Sequence, residues 1–173
     1  MEKIFENKVV IVTGGSFGIG KAAAIAFAKR GAKVVIADWV EDKDTLDTFK
    51  SSGSDALFMK CDVSKDEEVK KMIGKAIVEY GRLDYAFNNA GIEGLSAPTH
   101  ECTDENWEKV IAVNLKGVWL CMKYEIAQML KQGKGAIVNN ASIAGLVGFQ
   151  NIPAYVASKH GVIGLTKNAA LEY

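Results

Sequence analysis

Three side chains near the C-terminal end of the sequence have the types and spacing needed to handle a proton. Tyr155 and Lys159 follow Pro153 in a helical pattern, and their i, i+4 spacing places them on one helix face, about one turn apart. A phenol titrates near about 10 in water, and a nearby positive charge lowers that pKa toward the range of a general acid or base. Ser142 ends an apolar run and could hold a carbonyl or hydroxyl oxygen by hydrogen bond. A Tyr–Lys pair alone is also typical of a solvated helix face, so its meaning depends on the elements around it.

The composition is that of an ordinary globular domain, and we predict a single domain over residues 1–173. The chain is 49% hydrophobic and 24% charged, and its 21 basic residues balance 21 acidic ones. This balance provides no net field to attract nucleic acid or an anionic membrane. We also predict no signal peptide and no membrane helix, because the first residues are polar and no apolar run approaches about 20 residues.

The three cysteines point to a reducing compartment. Cys61, Cys102 and Cys121 are scattered, odd in number and without the C-x-x-C spacing of many metal sites. This pattern predicts a cytoplasmic protein and argues against a structural zinc site.

Strand and helix patterns alternate along the whole chain. The first strand, at residues 9–12, is a short, β-branched, uninterrupted apolar run, which is typical of parallel strands covered on both faces. Strands are predicted at residues 9–12, 34–37, 56–59, 83–87 and 135–141. Helices are predicted at residues 18–30, 41–50, 65–80 and 103–131, and beyond Pro153. Five such units with short links predict an α/β fold with a doubly wound parallel sheet and helices on both faces.

A glycine-rich turn connects the first strand to the first helix. It contains the pattern G-x-x-x-G-x-G at Gly14, Gly18 and Gly20. Glycines at this place let the backbone approach a pyrophosphate, and the helix N-terminus supplies free N–H groups and a positive dipole end. The spacing differs from the general G-x-G-x-x-G fingerprint, and any tight strand–helix turn favours glycine. The position between first strand and first helix therefore carries the prediction of a dinucleotide site.

An acidic residue, Asp38, ends the second predicted strand eighteen residues after Gly20. An acid at this place accepts hydrogen bonds from the ribose hydroxyls and repels a 2′-phosphate. Its neighbours are Ala37 and Trp39, and no basic residue lies among the three residues after Gly14. The sequence therefore favours NAD over NADP as the cofactor.

The chain resembles the short-chain dehydrogenase/reductase family along all 173 residues. The resemblance implies a Rossmann-type fold and reversible hydride transfer between a nicotinamide and an alcohol or carbonyl substrate. It rests on the turn from Thr13 to Gly20, the run Asn88, Asn89, Ala90 and Gly91 after the fourth strand, Asn114, Ser142, and Tyr155 with Lys159.

The same resemblance implies a role for each matching residue. Tyr155 matches the family's acid/base, and Lys159 matches the lysine that binds the nicotinamide ribose and lowers the pKa of the phenol. Ser142 matches the residue that positions the substrate oxygen, and Asn114 belongs to a proton relay. The expected cofactor contacts are Gly14, Ser16, Phe17, Gly18, Ile19, Gly20, Asp38, Trp39, Asp62, Val63, Asn89, Ala90, Gly91, Tyr155 and Lys159.

The resemblance also implies association into a homodimer or homotetramer through the last helix. Ala154, Ala157, Gly161 and Gly164 form a face of small residues there, although packing against the protein's own sheet would need the same face. We further expect residues 1–173 alone not to be a working enzyme. Family members continue past the point of Tyr173 with at least one strand and a segment that covers the substrate.

We therefore predict an NAD-dependent alcohol dehydrogenase or ketone reductase that acts on a small molecule. Two alternatives stay open at this point. One is an NADP-linked carbonyl or oxoacyl reductase, and the other is a catalytically silent dinucleotide-binding module.

Overall fold

Five short parallel strands pair into one sheet in the order β3-β2-β1-β4-β5. The computed structural model describes residues 2–51, 54 and 56–173. The order reverses between β1 and β4, and ligands of open α/β sheets bind at such a switch point, beyond the carboxyl ends of the strands. The strands are β1 (Val9–Thr13), β2 (Lys33–Asp38), β3 (Ala56–Lys60), β4 (Tyr85–Asn88) and β5 (Ala136–Asn139).

Helices cover both faces of this sheet. Successive side chains of β1 point to opposite faces, so Ile11 packs in one core and Val10 and Val12 pack in the other. Both cores are buried, and the predicted doubly wound parallel fold is confirmed. The helices are α1 (Gly18–Lys29), α2 (Lys43–Ser51), α3 (Asp66–Tyr80), α4 (Asp104–Ile111), α5 (Gly117–Gln132) and α6 (Pro153–Glu172).

The ends of two strands differ from the prediction. The fourth strand begins at Tyr85, because the backbone of Leu83 is satisfied by a side chain and not by a strand. Gln132 Oε1 accepts from Leu83 N at 3.0 Å, and Gln132 Nε2 donates to Leu83 O at 2.8 Å. The fifth strand ends at Asn139, so Ser142 lies in the following turn and not at the strand end.

The helical region predicted at residues 103–131 is interrupted by a π-helical turn, Ala112–Lys116. A π turn contains an extra residue and shifts the helix faces on its two sides relative to each other. Asn114 within the turn is fully buried, as is Val110 before it, whereas Trp107 is 43% exposed. The apolar periodicity suggested one straight helix because it does not register a single inserted residue.

The small residues of α6 do not form one free face. A Cβ at Gly161 would lie 2.7 Å from the side chain of Leu115, and Ala154 is buried, so both pack inside the chain. Only Gly164 faces open space among the glycines of this helix. The expectation that this stripe mediates association is therefore wrong for its two inward residues. None of the helices in the described part of the chain is long and apolar enough to cross a membrane.

Candidate active site

The glycine turn brings α1 against the carboxyl ends of β1 and β4. Gly14 has φ +62°, and a Cβ there would lie 2.9 Å from Ala90 Cα. A Cβ at Gly20 would collide with the carbonyl oxygen of Gly14, so the helix could not begin this close to the turn with any larger residue. Phe17 at the N-cap makes no side-chain capping bond, and the first helical turn contains no acidic residue. The helix N-terminus therefore keeps its positive end and its N–H groups for an anion.

Asp38 is held rigidly at the end of β2. Its Oδ2 accepts from Ser16 N at 3.1 Å and its Oδ1 accepts from Val40 N at 3.3 Å, and the residue is 8% exposed. Ser16 was expected to contact the cofactor, but its hydroxyl donates to Val40 O at 2.6 Å and its carbonyl accepts from Thr45 Oγ1. In this structure Ser16 orients the Asp38 carboxylate and is itself buried.

A basic residue that the sequence reading did not consider lies close to this loop. Lys21 Nζ pairs with Asp42 Oδ2 at 2.8 Å. The hydrogen bonds from Lys21 and from Thr45 lower the pKa of Asp42 to about 2. The lysine charge is therefore matched by a carboxylate and gives no free cation at this point.

A cavity of about 500 Å³ lies over the strand ends at the switch point, a size that suits a cofactor. It is lined by eleven of the predicted cofactor residues and by three further ones, Cys61, Ile92 and Val113. Burial and the neighbouring Glu68 and Asp62 raise the pKa of the Cys61 thiol to about 12, so this cysteine lines the cavity as a neutral thiol. The eleven are Gly14, Phe17, Gly18, Ile19, Asp38, Trp39, Asp62, Val63, Asn89, Ala90 and Gly91.

Asn89 links the end of β4 to the glycine turn. Its Nδ2 donates to the carbonyl oxygens of Thr13 and Gly14, both at 3.1 Å. Its Oδ1 accepts from Asn140 Nδ2 at 2.9 Å. Asn and Gly favour tight turns, so a run of these residues after β4 suits a turn as well as the expected cofactor contact. The structure shows that Asn89 both ties the turn together and lines the cavity.

Lys159 is connected to Asn89 through Asn140. Its Nζ donates to Asn140 O at 2.8 Å and lies 5.6 Å from the centroid of the Tyr155 ring. The residue is 4% exposed, and burial lowers the pKa of Lys159. Asn140 was missed at the sequence level. The signal available in the sequence was an Asn–Asn pair at the ends of two strands, Asn88–Asn89 and Asn139–Asn140. In the structure these strands are adjacent, and Asn88 lies opposite Asn139.

Ser142 begins a one-turn 3₁₀ helix, Ile143–Gly145, that packs on α6. Its Oγ accepts from Ala144 N at 3.1 Å. Among the described residues its hydroxyl hydrogen has no acceptor, so it is free to donate to a ligand. A Cβ at Gly145 would lie 2.7 Å from Lys159 O, and this close approach of backbones holds the Ser142 turn against the helix of Tyr155.

Asn114 reaches the same place from the π turn. Its Oδ1 accepts from Ile92 N and its Nδ2 donates to Ile92 O, both at 2.8 Å. The Nδ2 also donates to Ser158 Oγ at 3.2 Å, and Ser158 Oγ donates to Tyr155 O at 2.7 Å. A Cβ at Gly91 would lie 3.3 Å from Asn114 Oδ1 and 3.7 Å from Lys159 Nζ. The structure therefore brings Asn114, Lys159 and Tyr155 together beside the cavity wall.

One buried acid below this site was not found from the sequence. Glu125 of α5 is fully buried, and its Oε2 accepts from Asn88 Nδ2 at 2.9 Å. Burial raises the pKa of Glu125 to about 7, and the Asn88 bond only partly offsets this. Glu125 Oε1 and Asn88 Oδ1 are buried with no partner among the described residues. A proton on Glu125 would let this pair form a further hydrogen bond. No sequence motif marks this glutamate.

The residues around the cavity suit a dinucleotide. The glycine cradle leaves no room for a Cβ at Gly14 or Gly20, which is the condition for close approach of a pyrophosphate. The open N-terminus of α1 would meet the phosphates, and the fixed carboxylate of Asp38 would meet the adenosine ribose. Asp62 and Val63 line the part of the wall contributed by the loop after β3. Tyr155 and Lys159 lie on α6, outside the lining of this cavity.

Comparison with known proteins is consistent with this geometry. A family model described as short chain dehydrogenase matches residues 8–173. Cyclohexanol dehydrogenase of Acinetobacter sp. (strain SE19) is 46% identical over 179 aligned positions, covering 100% of this chain and 71% of the relative. The crystal structure of levodione reductase superposes with a TM-score of 0.92 at 38% identity, covering 98% of this chain and 67% of that one. NAD⁺-bound xylitol dehydrogenase gives 0.91 at 34% identity, covering 98% and 66%. The chain thus spans about two thirds of the length of these three proteins.

Proposed function

The chain belongs to the short-chain dehydrogenase family, and from that membership we propose that it transfers hydride between NAD and a secondary alcohol or the matching ketone. One observation carries the proposal. An unbroken series of hydrogen bonds runs from the carbonyl of Gly14 through Asn89 and Asn140 to the ammonium of Lys159, one helical turn from Tyr155. The glycine turn and the Tyr155–Lys159 pair are thus held in fixed positions relative to each other.

Each residue of the proposed site has a task that its geometry supports. The free hydroxyl hydrogen of Ser142 donates to the alcohol oxygen, and the Tyr155 oxygen takes the proton of the alcohol. The Lys159 ammonium, close to the tyrosine ring, stabilises the negative charge of the phenolate before this transfer. When bound, NAD supplies the acceptor for the hydride that leaves the alcohol carbon. Asn114 holds the backbone of Ile92 and, through Ser158, the carbonyl of Tyr155.

The choice of NAD over NADP rests on the fixed carboxylate of Asp38. Two backbone N–H groups hold it at the cavity wall, so a 2′-phosphate could not displace it without breaking both bonds. The ammonium of Lys21 would be the obvious partner for such a phosphate, but it is already paired with Asp42. Both features favour a free ribose hydroxyl.

We propose a ring-shaped secondary alcohol as the substrate class. The turn after Ser142 presents an exposed apolar surface, with Ile143 65%, Leu146 69% and Val147 48% exposed. Exposed apolar patches of this kind suit an apolar ligand better than a sugar. The name of the relative from Acinetobacter, cyclohexanol dehydrogenase, supports the same class.

We also propose a domain organisation, a cellular location and an oligomeric state. Residues 1–173 act as one dinucleotide-binding domain. The three free cysteines agree with a location in the cytoplasm. Association into a homodimer or homotetramer is supported by the exposed rings of Trp107 on α4 and Trp119 on α5, at 43% and 46% exposure.

The deciding experiment measures NAD binding and alcohol turnover separately in the full-length protein. Binding is followed by fluorescence of Trp39, which lines the cavity and is 49% exposed, and turnover by NADH absorbance with cyclohexanol. We expect Tyr155→Phe to lower turnover by about two to four orders of magnitude and to leave NAD binding largely intact. Binding of NAD without oxidation of any ring or open-chain alcohol would instead indicate a catalytically silent module. Turnover that survives in Tyr155→Phe would remove this tyrosine from the mechanism.

A further inference from the structure

Two asparagines of one helical stretch hold the loop that follows β4 in the same way. Asn114 forms hydrogen bonds with both the backbone N and the backbone O of Ile92, as described above. Asn106 does the same at Leu95. Its Oδ1 accepts from Leu95 N at 2.8 Å, and its Nδ2 donates to Leu95 O at 3.2 Å. Each amide therefore satisfies both backbone groups of one loop residue, as a neighbouring strand would. Asn106 is 7% exposed and Asn114 is fully buried.

The loop conformation between Ile92 and Leu95 depends on Asn106. Gly94 has φ +84°, and a Cβ there would lie 2.7 Å from Asn106 Oδ1 and 2.5 Å from the Val110 side chain. The loop backbone is thus packed directly on the amide, and only glycine fits. Asn106 Nδ2 also donates weakly to Cys102 Sγ at 3.6 Å, so the amide is held from a second side.

This loop stands between the cofactor cavity and the segment that leads to Tyr155. Ile92 lines the cavity, and Ala97 N donates to Asn151 O at 2.9 Å, just before α6. Leu95 lies between these two anchors, and three residues of chain keep its Cα within about 11 Å of Ile92. Its side chain is 70% exposed although its backbone is fixed. An apolar side chain held on a rigid backbone beside a reaction centre is suited to contact a ligand.

We propose that Asn106 is a positioning residue for substrate recognition. It fixes the loop so that Leu95 forms an apolar wall of the alcohol site, on the side opposite the turn that begins at Ser142. The inference rests on the proposed function, because it needs an alcohol bound next to Tyr155. Asn106 itself touches neither the substrate nor the cofactor.

The test compares Asn106→Ala with a matched control at the same helix end. Thr103 Oγ1 accepts from Asn106 N at 3.2 Å as the N-cap of α4, so Thr103→Ala weakens the helix start but leaves both side-chain bonds of Asn106 in place. Three quantities are measured for each protein. They are amide hydrogen exchange at Leu95, KM and kcat for cyclohexanol and for the bulkier 4-tert-butylcyclohexanol, and KM for NAD.

In Asn106→Ala we expect exchange at Leu95 to rise about tenfold, the value for loss of one hydrogen bond. KM for the alcohols should rise and the preference between the two alcohols should change, while KM for NAD stays the same. Thr103→Ala should lower the thermal midpoint without changing this preference. Faster exchange at Leu95 with unchanged alcohol KM and preference would overturn the inference, since the loop would then be loosened without effect on the substrate.

A second variant separates positioning from packing. Asn106→Asp keeps the shape and the acceptor for Leu95 N, but when ionised it places a carboxylate oxygen against Leu95 O. A proton on that oxygen restores the missing donor, so the ketone KM of this variant should rise with pH more steeply than that of the unmodified protein, whose own pH dependence comes from Tyr155. Parallel pH profiles would contradict the inference. These variants are made in the full-length protein, and absence of any turnover by the unmodified full-length protein would refute the proposed function itself, and with it this role of Asn106.

Discussion

The buried carboxyl of Glu125 makes the stability of the protein depend on pH in a direction that can be measured. Burial raises its pKa to about 7 from an ordinary 4.5. A raised pKa means that the folded protein holds this proton more tightly than the unfolded chain does. The contribution is complete below the unfolded value and is lost as pH rises through about 7. Unfolding free energy should therefore decrease with increasing pH across this interval and then level off.

The magnitude follows from the difference between the two pKa values. From 4.5 to about 7, at about 1.4 kcal/mol for each pH unit, the full effect is about 3 kcal/mol. Most of it falls between about pH 5 and about pH 8. This is a large part of the about 5–15 kcal/mol that stabilises a typical domain.

The perturbation that isolates this effect is Glu125→Gln. Glutamine keeps the shape and the acceptor for Asn88 Nδ2 without a titrating proton, and its amide can donate toward Asn88 Oδ1, which has no partner in the described part of the chain. We expect the two proteins to have similar stability near about pH 5, and the variant to be about 2–3 kcal/mol more stable near about pH 8.5. The exposed Glu108→Gln is the control for changing the charge of a glutamate without burial.

The assay is urea unfolding followed by tryptophan fluorescence at several pH values, with the difference between variant and unmodified protein plotted against pH. Other titrating groups cancel in this difference. Parallel stability curves for Glu125→Gln and the unmodified protein would refute the reasoning. The carboxyl would then have the same proton affinity folded and unfolded, which a fully buried, singly hydrogen-bonded acid should not.

Two further predictions concern the cofactor and association. Asp38→Ala combined with Trp39→Arg should narrow or reverse the preference for NAD over NADP, measured by titration of both cofactors, and tighter NADP binding by the unmodified protein would contradict the role of Asp38. A species larger than one chain should sediment at micromolar concentration, and Trp107→Glu with Trp119→Glu should shift it toward the monomer. A single monomeric species before mutation would exclude the association that these exposed rings support.

Much of this architecture could be read from the sequence, because the signals are local. Alternating strand and helix patterns predicted five parallel strands, and the uninterrupted β-branched run at residues 9–12 indicated cover on both faces. Gly14 and Gly20 indicated the turn because a Cβ at either position would collide with backbone atoms, so only glycine fits. The i, i+4 spacing of Tyr155 and Lys159 likewise depends only on helix geometry. In each case the pattern itself can be recognised within a few residues along the chain.

The tertiary structure decided what depends on distant neighbours. Glu125 meets Asn88 across 37 residues, and Asn114 meets Ile92 across 22. Neither pair has a periodicity that could reveal it. Gly161 belongs to a small-residue stripe in the sequence, yet it faces Leu115 because the π turn brings that side chain onto α6. Sequence determined which elements form and where the reactive groups stand on them. Docking of those elements determined which polar groups lose water. Burial without a full set of partners changes the proton affinity of Glu125, whereas the two hydrogen bonds of the buried Asn106 amide fix the loop at Leu95.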